Sequence, residues 1–189
     1  MINKVFTVAL KNGEYYYLPD FLPTAGFTEL RLRAYVIGSE NYGGCFRIRN
    51  LNLRYKGEDL PLSNAVIISE SRATCKVNGN IDCTIYTNAT QYGGYHLAGL
   101  VGTGNGYSLI YNANGIVGTE KIDIIFEFSE KIRIDYLSYE HWVGYPSDSL
   151  TDFGLLFDGK ELYRTPLDQR GVYKDKMEAI ITEANKPRD

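Results

Sequence analysis

The feature that most constrains this chain is a strict two-residue alternation of apolar and polar side chains. In Leu30-Arg31-Leu32-Arg33-Ala34-Tyr35-Val36 the even positions are apolar, and arginine or tyrosine fills the others. Successive side chains of a strand point to opposite faces, so a period of two describes a strand with one face buried and one wet. The stretch Phe46-Arg47-Ile48-Arg49-Asn50-Leu51-Asn52-Leu53-Arg54-Tyr55 alternates too, but its phase flips. Apolar residues stand at 46 and 48, then at 51, 53 and 55. A strand that keeps one face buried changes phase only through an extra residue, which predicts a bulge or break near Asn50.

Residues 122–128 and 132–136 form a second alternating pair, with Ser129-Glu130-Lys131 reading as a hairpin loop. Strand-like runs at 153–157 and 160–164 flank Asp158-Gly159, the pairing that favours a two-residue type I′ turn. A glycine-rich stretch from Gly93 to Gly118 reads as long loops around short strands. Composition agrees: 16 Tyr suit half-buried strands, and 19 scattered Gly are turn chemistry. The class is all-β, an antiparallel sandwich spanning 1–170.

The exposed positions of these strands carry opposite charges. Arg31, Arg33, Arg47 and Arg49 belong to the early strands, and Asp123, Glu127 and Asp135 to the late ones. As neighbours they form cross-strand pairs worth roughly 0.2–1 kcal/mol each; the alternative is a basic ligand-binding face. From Gly171 the pattern changes. Tyr173, Met177, Ile180, Ile181 and Ala184 share one helical stripe, and Asn185 and Pro187 are stop signals. This predicts a C-terminal helix and tail over 171–189, packed on its own sandwich or docked on a partner or a second copy.

A net charge of −3 gives no basic field, so nucleic acid is not an expected partner. No run approaches the roughly 18 apolar residues of a membrane span, and membrane insertion is not expected either. The opening MINKVFTVALKNGEYYY has too short an apolar run for a secretory signal, so synthesis in a cytoplasm is expected. In that compartment Cys45, Cys75 and Cys83 are free thiols, with a Cys75–Cys83 bridge around a hairpin as the alternative.

Catalytic signals are weak. The run Gly99-Leu-Val-Gly-Thr-Gly-Asn-Gly106 imitates a phosphate-cradling loop, but strand-like Tyr107-Ser-Leu-Ile-Tyr111 follows it where a helix is needed. The only histidines, His96 and His141, have no metal-ligand spacing and the cysteines form no CxxC, so no transition-metal site or cofactor is expected. A structural calcium held by loop carboxylates and carbonyls is the alternative, because calcium asks only for oxygens. Asp148 and Asp152, beside Trp142 and Tyr145, are the one carboxylate pair worth inspecting for hydrolysis. The stronger candidates for ligand binding are aromatic, polar, glycine-bearing segments: Tyr92, Tyr95 and His96 in one, and His141, Trp142, Tyr145 and Asp148 in the other. Sugar rings dock on aromatic faces, rigid aromatics also anchor protein interfaces, and Trp142 can equally be a core residue.

The order of segments also resembles a known family. Residues 27–36, the Gly43-Gly44 loop and Arg49-Asn-Leu-Asn-Leu-Arg-Tyr55 resemble the opening of discoidin-like, or galactose-binding-like, domains. Such domains are common in bacteriophage tail and capsid-surface proteins. Residues 121–136 are similar to the family's strand pair, and 153–162 to its following strand and hairpin. The resemblance covers roughly 27–164 and implies a jelly roll of eight or so strands. The turn that carries calcium in the family has its nearest match in Asn78-Gly79-Asn80, which lacks the acid. By resemblance the chain is a virion protein, of capsid decoration or tail-fibre type, that binds a cell-surface glycan or other virion proteins through end loops and forms a homo-oligomer. The alternatives are a carbohydrate-active enzyme or its carbohydrate-binding module, and a purely structural assembly subunit.

Overall fold

The computed structural model describes residues 3–10, 15–18, 26–37, 45–69, 71–88, 90–91, 97–101, 108–111, 122–141, 150–164 and 176–186. Its strands are β1 (Asn3–Leu10), β2 (Tyr15–Leu18), β3 (Phe27–Ile37), β4 (Cys45–Tyr55), β5 (Glu58–Asp59), β6 (Leu62–Ser69), β7 (Arg72–Val77), β8 (Ile81–Thr87) and β9 (Thr90–Gln91). They continue as β10 (Ser108–Tyr111), β11 (Ile122–Ile132), β12 (Tyr136–His141), β13 (Leu150–Phe157), β14 (Lys160–Arg164) and β15 (Lys176–Lys186). One sheet runs β2-β1-β15-β12-β4-β10-β9 with β5 beside β4; the other runs β14-β13-β3-β11-β8-β7-β6. Every ladder described is antiparallel. The sheets face each other across one core, so the chain is an all-β sandwich.

The alternation read from sequence is the alternation that packs. Leu30, Leu32 and Ala34 of β3 are buried, as are Ile124, Phe126 and Phe128 of β11 and Leu155 and Phe157 of β13. From the other sheet come Leu51, Leu53, Leu137 and Tyr139. Phe27 meets Phe128 and Phe157 edge to face, at centroid distances of 6.0 and 4.8 Å, the geometry ring quadrupoles favour. A 3-10 helix, Leu97–Val101, adds Leu97, Leu100 and Val101 to the core. Within the glycine-rich stretch, Leu97–Val101 is therefore a buried turn that packs the sandwich.

The phase flip is a bulge. Asn52 lies opposite Ser138 and Arg49 opposite Glu140, so Asn50 and Leu51 together face Tyr139. Asn50 takes a φ of 53°, the left-handed conformation that asparagine tolerates better than most residues. Asp158 and Gly159 have φ of 48° and 80° between paired Phe157 and Lys160, as a type I′ turn requires. Lys56-Gly57 repeats this signature at 51° and 78° between Tyr55 and Glu58.

Three expectations are corrected. Residues 129–131 are not a hairpin loop: β11 runs on to Ile132, absorbing the extra residues in an irregularity between Glu127 and Ile132. Tyr136 then opens β12 in the other sheet. The described residues form 15 strands in two sheets instead of eight or so, and β2, β1 and β15 extend one of those sheets. The C-terminal helix is not what forms: Lys176–Lys186 is strand β15, paired with β1 on one side and β12 on the other. A ladder on both sides satisfies the backbone groups that a helix would satisfy internally, and such tertiary pairing overrides a local helical stripe.

Candidate functional site

The register gives the two ends of the sandwich different constructions. At one end the chain turns tightly, at Lys56-Gly57, Asn78-Gly79-Asn80 and Asp158-Gly159, and passes between sheets through residues 60–61 and 133–135 and by way of 19–25. The links at 60–61 and 133–135 are pinned by hydrogen bonds: Leu60 N donates to Leu53 O at 2.8 Å and Asp135 N to Arg54 O at 2.9 Å. The Asp135 carboxylate accepts from Lys56 N at 2.9 Å. Asp158 does similar work, its Oδ1 accepting from the backbone N–H groups of Thr28 and Glu29 at 3.0 Å each.

The opposite end collects the longer crossings. Ile37 and Leu150 lie opposite each other there, as do Tyr111 and Cys45. The segments 38–44 and 142–149 both leave and enter strands at this level, 112–121 leaves from it after Tyr111, and 165–175 enters it at Lys176. Loops carried on a rigid sheet framework are where binding residues concentrate.

His141 ends β12 opposite Ile48 and so stands at the base of 142–149; Asp152 lies in β13 opposite Val36. Tyr92, Tyr95, His96, Trp142, Tyr145 and Asp148 lie outside the described residues. Their anchor points do not coincide. Gln91, which precedes the first aromatic segment, ends β9 at the sheet edge, separated from β12 by β10 and β4. At about 4.8 Å per strand spacing, the two attachment points are roughly 14 Å apart.

Comparison with family models, with curated proteins and with solved structures returns no match to this chain. The site is therefore built from its own residues.

The charged face of β3 and β11 is internally neutralised. Asp123, directly opposite Arg33, accepts from Arg33 Nε at 2.7 Å, from the second Arg33 nitrogen at 2.9 Å and from Arg31 at 3.0 Å. Arg31 also pairs with Glu29 at 2.9 Å. Burial acts to raise the Asp123 carboxyl, but the hydrogen bonds and charges of Arg33 and Arg31 outweigh it and hold it below the usual carboxylate range. The neighbouring contacts follow the same logic: Tyr35 donates to Glu161, and the Arg164 guanidinium lies 3.7 Å over the Tyr35 ring. Glu127 takes the Tyr86 hydroxyl at 2.6 Å, pushing that phenol up to about 12. Cross-strand pairing, not a basic ligand face, accounts for Arg31 and Arg33. Of the late acids only Asp123 pairs with these arginines; Glu127 and Asp135 have the other partners named above.

Cys75 and Cys83 stand directly opposite each other in the β7–β8 ladder, both buried and both free thiols. Their hydrogen bond and their burial push the Cys83 thiol well above its ordinary range, which leaves it poorly nucleophilic. Among the described residues no group of His, Cys, Asp and Glu is arranged to hold a metal ion, and no helix is long and apolar enough to cross a membrane.

Sequence reasoning missed the edge strand β6. Val66, Ile67 and Ile68 are the large hydrophobics left exposed among the described residues. A shallow groove of about 460 Å³ runs beside them, lined by Asn64, Val66, Thr74, Lys76, Asp82 and Thr84 among others. The available signal was the run itself, since three consecutive apolar residues cannot all face one side of a strand.

Proposed function

We propose that this protein is a non-catalytic, jelly-roll, galactose-binding-like module of a bacteriophage virion. It presents the crossings at one end of the sandwich, 142–149 foremost, to a cell-surface glycan or to a neighbouring virion protein. The observation that carries the binding half is the asymmetry of the two ends. Tight, hydrogen-bonded turns and the crossing 19–25 attach at one end, while 38–44 and 142–149 attach at the other on both sides and 112–121 and 165–175 on one side each. Those segments contain Tyr42, Trp142, Tyr145 and Asp148, the mix of rings and hydrogen-bonding groups that reads sugars or anchors proteins. The virion setting rests on the resemblance of 27–164 to discoidin-like domains.

The neutralised β3–β11 face supports the same reading, because it leaves the loops as the better-equipped surface for a ligand. The test is a glycan array with the purified chain, beside Trp142→Ala and Tyr95→Ala variants of unchanged circular dichroism. Binding lost in Trp142→Ala supports glycan recognition at the loop end. Absence of glycan binding, together with co-purification with virions, assigns the loops to a virion protein instead. Failure of both overturns the proposal.

A further inference from the structure

Cys75 of β7 and Cys83 of β8 are register partners in an antiparallel ladder that runs unbroken from Arg72–Tyr86 to Val77–Ile81. Directly opposed residues point to the same face, and both thiols lie in the core, 3% and 1% exposed. Such partners have Cα atoms about 4.5–5.5 Å apart, inside the roughly 4.4–6.8 Å that a disulfide spans. Closing the bond draws the Cβ atoms together by up to about 1 Å. The neighbouring strand leaves β7 free to make that shift. β6 pairs Ser63 with Lys76 and Val66 with Thr74, so Asn64 and Ala65 bulge opposite Cys75, with Asn64 at a φ of 54°. The ladder on that side of β7 is interrupted at the residue that has to move.

We propose that Cys75 and Cys83 are a redox-sensitive staple: free thiols in the reduced protein, and a reversible disulfide clipping β7 to β8 when hydrogen peroxide reaches them. Peroxide is small enough to enter a buried pair that a bulky disulfide oxidant cannot approach. The hydrogen bond between the thiols lowers the Cys75 thiol and raises that of Cys83. Cys75 is therefore the attacking group and Cys83 the resolving one. The Cys75 thiolate sulfur attacks one peroxide oxygen, the O–O bond breaks, and the leaving hydroxide takes up the proton Cys75 gave, forming water. Cys75 is then a sulfenic acid and no longer the thiolate that held the Cys83 proton. The Cys83 sulfur attacks Cys75 Sγ; the S–S bond forms, the S–O bond breaks, and hydroxide leaves as water with the Cys83 proton. Two thiols and one peroxide give one disulfide and two waters. Cys45 belongs to the other sheet, opposite Tyr111, and takes no part. The staple is independent of the loop-end function, which can fail while the staple stands.

The test is treatment of the folded chain with hydrogen peroxide in buffer without denaturant, then catalase, then alkylation of the remaining thiols in urea. The expected product has lost two hydrogens and leaves Cys45 as the residue open to alkylation. Trypsin cleaves after Lys76, between the two cysteines, so an unreduced digest carries them as one linked peptide pair. The thermal midpoint rises by roughly 5–10 °C, as a disulfide closing a short loop in a chain of this size gives, and returns with dithiothreitol. Cys83→Ala shows no rise, and dimedone labels its Cys75. A folded chain that keeps all its thiols, or whose Cys75 passes beyond sulfenic acid without bridging, overturns the proposal. So does a bridge that includes Cys45, or one that forms only in urea and is thus a reaction of the unfolded chain. The wild-type peptide map decides alone should Cys83→Ala fail to fold.

Discussion

Replacing Asp123 by Asn removes one negative charge from beneath two arginines without changing side-chain shape. The Asp123 side chain is only 10% exposed, and it binds Arg33 through both oxygens and Arg31 through one. Breaking a fully buried pair from one side costs about 3–5 kcal/mol, because the partner charge is left uncompensated. Here the arginine side chains keep 20–24% exposure and Arg31 retains Glu29, so water and a second acid recover part of the loss. The expected cost is about 2–4 kcal/mol at pH 7. The pH dependence has a definite sign. The folded carboxyl is held below its usual range, so its stabilisation is complete above the unfolded value of about 3.9 and is lost as pH falls through the folded value. Urea unfolding of both chains, followed by tryptophan fluorescence from pH 7 down to pH 3, should show the gap narrow below pH about 4. A gap under about 1 kcal/mol at pH 7, or one that widens on acidification, would refute the assignment of Asp123 as the neutralising centre of this face.

Asp158→Ala removes both the acceptor for the Thr28 and Glu29 amides and a residue suited to positive φ, and should lower stability by about 1–2 kcal/mol in urea. Asp158→Asn, which keeps an acceptor and the same turn preference, should recover most of that. At Gly154 an added Cβ would lie 2.9 Å from Glu161 Oε2, 3.1 Å from the Tyr163 carbonyl oxygen and 3.1 Å from the Tyr35 ring. Gly154→Ala should therefore cost about 1–3 kcal/mol by overpacking, read as a lower thermal midpoint. At the bulge, Asn50→Gly should be neutral to slightly stabilising, while Asn50→Val should cost about 1–2 kcal/mol because a β-branched residue resists a φ of 53°.

What the sequence made legible was whatever one strand or one turn decides alone. The alternation of Leu30, Leu32 and Ala34 against Arg31 and Arg33 needs only one wet face, and the structure buries and exposes these residues accordingly. The Asn50 bulge follows from phase, and the Asp158-Gly159 turn from the backbone freedom of two residues. What stayed hidden depended on partners distant in the chain. Residues 176–186 carry a helical stripe, and only the ladders offered by β1 and β12 make them a strand. Glu130 and Lys131 look like a turn until β11 is seen to continue through an irregularity opposite the start of β3. The arginine–aspartate pairing was foreseen only conditionally, because alternation fixes a face and not a neighbour. Of the candidate site, only the framework at its base is visible in the described residues: His141 beside Ile48, and Asp152 beside Val36.

The position of β15 also sets a timetable for folding. Asn3 is matched to Lys186 and Leu10 to Ala179, and β15 is the sole bridge from β1 and β2 to the rest of their sheet. During synthesis the β1–β2 pair must therefore wait, undocked from the rest of its sheet, until the ribosome has released the residues of β15. Contacts so distant in sequence demand a large loop-closure entropy before they return any energy, which slows folding. The seven-stranded sheet, whose strands all lie between Phe27 and Arg164, can assemble earlier and serve as the template on which β15 and then β1 close.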